Sequence, residues 1–266
     1  SLVKVTLIKP EKINTLPVER NKNIYIFGWG ENLKDYIFEI TNQNNRIRSI
    51  NIISLISIHQ REKLLPEIFK EKLYLGTIVN HIIADPMGEM VYEEIKIDND
   101  SSIVITHDIY KKETQYDEDS NTLLTLLLLR NWLDQNNLKN INITTEITDK
   151  KTKDLVASNI SEFVVSTEMI SKSLASASYY PLANKVWKDL FTSNGNLIYI
   201  KPLNIYIQEN INVSFNEIAA IVRSYGAVIL GYWENNNENF ILNPKNKNQK
   251  KIWSKNDLLI VIENSS

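Results

Sequence analysis

Two rhythms of apolar and polar positions alternate along most of this chain and then give way to a third. Residues Ile24 to Phe27 are apolar or aromatic without a break, stop at Gly28, and read as a strand buried on both faces. The next stretch, "ENLKDYIFEIT", sets Leu33, Ile37 and Ile40 at helical spacing. The exchange continues: "IRSINIISLIS" predicts a second strand, "REKLLPEIFKEKL" a short helix, "TIVNHIIAD" a third strand and "SSIVITHD" a fourth. "DEDSNTLLTLLLLRNWLDQ" opens on acids and hydroxyls suited to a helix N-terminus and continues as a helix. "INITTEIT" is a fifth strand, "KKTKDLVAS" a helix, "EFVVS" a sixth strand and "TEMISKSLASA" a helix again. Strand and helix in this regular order require crossover connections, so residues 20–178 predict an α/β domain with a doubly wound, mostly parallel sheet. Residues 1–19 precede it as a linker segment. After it "PLANKVWKDLF" gives one more helix within 179–195, "TSNGN" breaks the chain, and 196–266 read as strand, helix and three strands, a small α+β unit.

Composition narrows the chemistry. At 266 residues the chain can hold one large domain or two smaller ones. A formal charge of −2 with 23% charged residues supplies no basic field for nucleic acid or an anionic membrane, so neither is an expected partner. The absence of cysteine removes disulfides, thiolate metal sites and thiol nucleophiles, and fits a reducing compartment. No stretch approaches the roughly 20 apolar residues of a membrane span, and "SLVKVTLIKP" lacks both a signal-peptide core and an initiator methionine. The chain is therefore expected to be a soluble piece of a longer protein. The runs "ENNNEN" and "PKNKNQKK" fall between apolar segments, read as loops of biased composition, and receive no function.

Only seven glycines are present, yet Gly28 and Gly30 stand two apart directly after the first strand, as in a phosphate-binding turn. A dinucleotide fingerprint needs a third glycine, where Leu33 stands, and an acid after the second strand, where "SLISIHQRE" offers none. Glu31 adds negative charge at the helix start that would attract a phosphate. Gly28 and Gly30 thus serve the turn, and nucleotide binding is not expected. His59, His81 and His107 lie in no nucleophile or metal motif, so no enzyme is predicted. Asp108 ends the fourth strand and Glu146 lies on the fifth, and a doubly wound sheet delivers neighbouring strand ends to one crevice. Two carboxylates there suit a calcium ion. Glu113, Asp117, Glu118 and Asp119 crowd a predicted loop before a helix, where acids already complement the helix dipole. Asp85, before Pro86, suits a turn. The segment "LLTLLLLRNWL" is apolar nearly all round, and with Tyr179, Tyr180 and Trp187 it predicts a contact between subunits.

Taken in order, "NIYIFGWGENL", "IIADPMGE", "SNTLLTLLLLRNW", "ITTEITDKKTKDLV", "SEFVVSTEMISKSLA", "SFNEIAAIVRSYGAVILGYW", "ILNP" and "WSKNDLLIVI" resemble the RCK domains that regulate ion channels, most closely the C-terminal RCK domain of the CASTOR and POLLUX type. The resemblance implies a Rossmann-like N-lobe, a crossover helix at 179–195 and a small C-lobe. It implies a cytoplasmic ligand-sensing domain of a potassium- or calcium-conducting channel, joined in a gating ring to other RCK domains and to a transmembrane pore. In calcium-gated RCK relatives the ion is held by an acid ending the fourth strand and two glutamates two apart on the fifth. Asp108 and Glu146 match two of these, and Thr148 stands at the third. Asp85 matches the family's acidic position near the nucleotide, beside Gly28 and Gly30. The rival readings are a ligand-free assembly module and a nucleotide-dependent enzyme on the same fold.

Overall fold

A computed structural model of the chain describes residues 22–43, 47–70, 74–108, 115–138, 141–149, 163–190, 195–207, 211–234, 239–254 and 256–264. They divide into an N-terminal unit running to Pro181 and a C-terminal unit from Leu182.

The N-terminal unit contains strands β1 (Lys22–Trp29), β2 (Ile47–Ser54), β3 (Ile78–Ile83), β4 (Ser101–Asp108), β5 (Asn142–Ile147) and β6 (Phe163–Val165). They form one wholly parallel sheet in the order β3-β2-β1-β4-β5-β6. This is the Rossmann-like arrangement that the alternating pattern predicts, with the order reversing between β1 and β4. Helices α1 (Leu33–Gln43), α2 (Ile58–Leu64), α3 (Pro66–Lys70), α4 (Glu89–Glu94), α5 (Gln115–Gln135) and α6 (Ser166–Tyr179) complete the unit.

β1 explains why its sequence shows no polar alternation. Ile24 and Ile26 turn to one face, where Leu33 and Ile37 of α1 and Ile50 and Ile52 of β2 pack with them. Tyr25 and Phe27 turn to the other, against Tyr92 of α4 and Leu126, Leu129 and Leu133 of α5. A strand covered on both faces has no reason to carry polar side chains. Side-chain amides then fix register: Asn80 Nδ2 donates to Asn51 Oδ1 at 2.8 Å, and the buried Asn51 Nδ2 donates to the Ile24 carbonyl at 3.3 Å, linking β3, β2 and β1.

The structure departs from the sequence pattern where elements are short. The single helix expected in "REKLLPEIFKEKL" is two, because Pro66 has no N–H to continue α2 and instead opens α3. α4 was not predicted, since six residues show too little period. The predicted helix in "KKTKDLVAS" and the segment 1–19 lie outside the described residues.

The C-terminal unit contains α7 (Ala183–Leu190), β7 (Asn196–Pro202), β8 (Asn212–Ser214), α8 (Phe215–Ser224), β9 (Val228–Glu234), β10 (Asn239–Leu242), β11 (Lys250–Ile252) and β12 (Leu258–Asn264). An antiparallel sheet runs β10-β9-β12-β7, and β8 pairs with β11. Ser214 and Glu217 close a capping box at the start of α8, whose buried Ile218 and Val222 pack with Trp253, Leu259 and Val261. β8 and β11, three residues each, were not predicted.

Candidate functional site

The C-terminal ends of β1 and β4 open the crevice in which doubly wound sheets bind ligands. Its first feature is the turn after β1. Gly28 has φ +104°, and a Cβ there would overlap the Thr106 carbonyl oxygen of β4. A Cβ on Gly30 would lie 2.5 Å from Thr106 Oγ1 and 3.6 Å from Glu146 Oε2. Both glycines are thus required by the close approach of the chain's own fourth strand. Between them Trp29 is buried, and Leu33, in the place of a third glycine, is 5% exposed and packs into the core.

Arg61 is the residue that sequence reading missed. It lies on α2, whose Ser57–Gln60 capping box is legible as "SIHQ", and its side chain is fully buried. Its Nε donates to Ile56 O at 2.9 Å, Nη1 to Ile52 O at 3.1 Å, and Nη2 to Ser54 O at 2.6 Å and Ile82 O at 2.9 Å. The guanidinium carbon sits 5.3 Å from the Trp29 ring centroid. A positive group thus collects the carbonyls that end β2 and β3, where a dinucleotide binder would place the acid for its ribose. Burial draws Arg61 down to about 10 while the Asp108 charge pulls it up, so it remains charged at neutral pH. His81, on β3, is pushed down to about 4, first by burial and then by the Arg61 charge.

A cavity of about 30 Å³ lies in the crevice, lined among others by Gly28, Asp85, His107, Asp108 and Glu118. That is the scale of a water molecule or a single ion. Asp85 faces it while holding the turn before α4: its Oδ1 accepts from Met87 N–H at 3.1 Å and its carbonyl from Gly88 N–H at 2.9 Å. Asp108 faces it and is registered beside Trp29. Glu146 stands one side chain away. Its Oε2 accepts from Thr106 Oγ1 at 2.5 Å and lies 3.6 Å from His107 Nδ1, and both partners line the cavity. Gly28, Asp85 and Asp108 therefore share the cavity wall, with Glu146 linked to it through Thr106 and His107. Among the described residues no group of three or more histidines, aspartates and glutamates could hold a metal ion. The carboxylates fit no more than a weakly held cation.

The acidic run at the start of α5 has a different role. α5 begins at Gln115, so Glu118 and Asp119 are helical rather than in a loop, and Glu113 lies outside the described residues. Asp119 is buried: Oδ1 accepts from Thr148 N–H at 2.9 Å and Thr148 Oγ1 at 2.6 Å, and Oδ2 from Asp149 N–H at 2.9 Å. Thr148 is thereby committed to joining α5 to the end of β5.

No protein-family profile matches the chain. Among curated proteins it is 30% identical over 229 residues to a probable ion channel POLLUX of Arabidopsis thaliana, covering 81% of this chain and 27% of that protein. It is 26% identical over 273 residues to the ion channel CASTOR of Lotus japonicus, covering 91% and 32%, and 30% identical over 199 residues to the ion channel POLLUX of the same plant, covering 64% and 22%. The chain spans between 22% and 32% of the length of these three relatives. Among the described residues no helix is long and apolar enough to cross a membrane. Over most of its length the chain is a relative of the CASTOR and POLLUX ion channels, matching one segment of them.

Proposed function

We propose that this chain is a non-enzymatic, cytoplasmic RCK-type regulatory domain of a cation channel, which assembles with like domains into a gating ring and responds to a divalent cation in the crevice of its parallel sheet. The observation that carries the reading is the similarity to ion channels over most of the chain, joined to a Rossmann-like sheet whose switch point is acidic. A ligand gates only by binding one conformation better than another, and a crevice between strand ends and helix starts is where such a difference arises. Asp108 and Glu146 supply the carboxylates. With Thr148 bound to Asp119 in place of a third acid, calcium affinity falls at the weak end of its range, about 10⁻⁴ to 10⁻³ M, and magnesium competes poorly because it demands tighter octahedral geometry. Nucleotide has no part in the reading: the turn is filled by Trp29 and Leu33, the ends of β2 and β3 by Arg61, and the remaining cavity is acidic.

Calorimetric titration tests the cation. The native chain is expected to bind calcium, and Asp108→Asn and Glu146→Gln are each expected to lose binding with unchanged melting, since both keep shape while removing charge. Calcium binding that survives both changes would move the ion elsewhere. No binding to the native chain would leave a ligand-free assembly module. The channel assignment is tested by the coding sequence on either side of this chain, where pore-forming helices support it and a full-length protein without them overturns it.

A further inference from the structure

An antiparallel sheet ordinarily buries one face and turns polar residues to water on the other. In the C-terminal unit one set of alternating positions does face α8: Tyr199 of β7, Tyr232 of β9, Ile241 of β10 and Leu259 and Val261 of β12 pack into its core. The opposite set is apolar too. The register carries Ile200, Ile260, Gly231 and Leu242 in one row across β7, β12, β9 and β10, and the neighbouring rows are equally apolar until Asn196 pairs with Asn264 at one end. Lys201, Glu234 and Glu263, the charged residues of these four strands, all alternate to the α8 side, where Lys201 pairs with Glu263 and Glu234 with Lys251. The outer face is therefore without charge. Ile260 at its centre is buried, but Ile198, Ile200, Val228, Phe240 and Leu242 around it are each between 53% and 61% exposed.

Size and charge together select what covers such a face. Three of its strands are seven residues long and β10 is four. At about 4.8 Å between strands and about 3.3 Å per residue, the face measures roughly 400 Å² in projection. A contiguous apolar patch of that size on a folded unit marks an interaction surface. Two such faces laid together remove about 800 Å² of flat surface, and more once the relief of the side chains is counted, which is the low end of specific interfaces. A lipid surface would be met by lysines and arginines beside the apolar residues, and a charged partner by a field of the opposite sign. The outward positions offer neither. A two-fold contact sets a patch against the same patch, so a charged face would repel itself, whereas this uncharged one does not. Two equal twisted sheets also meet the geometry of face-to-face packing, about 10 Å apart with strand directions within about 30°.

We propose that the outer face of this sheet packs against the same face of a second copy of the chain, closing a two-layer sandwich between two C-terminal units. The contact does not depend on a cation in the crevice, and it is distinct from any made by the exposed Ile170 and Leu174 of α6, which belong to the N-terminal unit. Sedimentation equilibrium of the chain bearing Ile170→Glu and Leu174→Glu tests it, because those changes take the helix face out of the comparison. This chain is expected to dimerise with a dissociation constant of roughly 10⁻⁵ to 10⁻⁴ M, as suits an interface of modest area. Adding Ile200→Lys and Leu242→Lys on the outer face is expected to weaken the dimer at least about tenfold, since ammonium groups of both copies then meet across an apolar contact. Ile252→Lys, at a residue 70% exposed on β11 and outside this sheet, is expected to leave the dimer within about twofold. Equal melting of the variants in dilute solution, where all are monomeric, checks that folding is intact. A dimer indifferent to the Ile200 and Leu242 changes, or an equal loss from Ile252→Lys, would overturn the proposal. So would a chain that stays monomeric through that range, which would leave the face to the alternating "VKVTLI" at the start of the chain or to a different protein.

Discussion

A buried guanidinium whose partners are backbone carbonyls constrains its neighbours. Arg61 gathers the ends of β2 and β3, and its charge reaches His81 beside them. His81 is held at about 4 against an ordinary value of 6.5, so in the folded chain it is neutral where the unfolded chain would bind a proton. The contribution of this group to stability is complete above pH 6.5 and drains away as pH falls toward about 4. Urea unfolding across that window should show the native chain losing stability more steeply than His81→Gln. Parallel losses in the two proteins would remove His81 from the acid sensitivity. The same guanidinium shows what a sequence conceals. In "SIHQREKLL" an arginine among glutamine, glutamate and lysine reads as solvated, and only the packing of α2 over the strand ends turns it inward.

Where an element is long, its period survived translation into structure. The strand and helix rhythm from Ile24 onward yielded the five parallel strands of six to eight residues and the long α5, because burial on one or both faces writes itself into many residues, while the three-residue β6 was marked only by its apolar "FVV". α4, β8 and β11 are too short to carry a period, and they form because tertiary partners hold them: Tyr92 of α4 donates to Pro86 O at 2.6 Å, and β8 and β11 exist only as a pair. The turn at Gly28 and Gly30 was legible, but the reason for it, the Thr106 carbonyl and hydroxyl of β4, is distant in sequence. The candidate site follows the same division: Asp85, Asp108 and Glu146 could be assigned to strand ends, whereas the link from Glu146 through Thr106 and His107 to the cavity needed side-chain positions. α5 offers a test of one such hidden connection. Asp119 receives three donors from Thr148 and Asp149, and an amide in its place presents an N–H₂ toward some of them. Asp119→Asn should cost about 2–3 kcal/mol in urea unfolding, and a change near zero would show the clamp to be solvent-compensated.

Assembly depends on what the folded units leave uncovered. On α5, Leu126 and Leu129 belong to the core, while Leu124 and Leu127 are 45% and 54% exposed. On α6, Ile170 and Leu174, one turn apart, are 58% and 63% exposed. Apolar helix faces of this kind are what a second subunit covers. Sedimentation at micromolar concentration should find the chain dimeric or larger, and the double change Ile170→Glu and Leu174→Glu should shift it toward monomer without lowering its melting temperature. A native chain that is monomeric throughout would count against ring assembly through these helices. Leu126→Ala, by contrast, should cost about 2 to 5 kcal/mol whatever the oligomeric state.

The strand order has a further consequence for synthesis on the ribosome. β1, β2 and β3 leave the exit tunnel before β4 and can pair at once, but β1 receives its second neighbour only when residues 101–108 emerge. Until then β1 is an open edge on that side, its unpaired hydrogen-bonding groups and the Tyr25 and Phe27 face that α5 later covers available to any other nascent chain. Within this unit, the interval between β3 and β4 is therefore the stage at which a chaperone has an apolar sheet edge to shield.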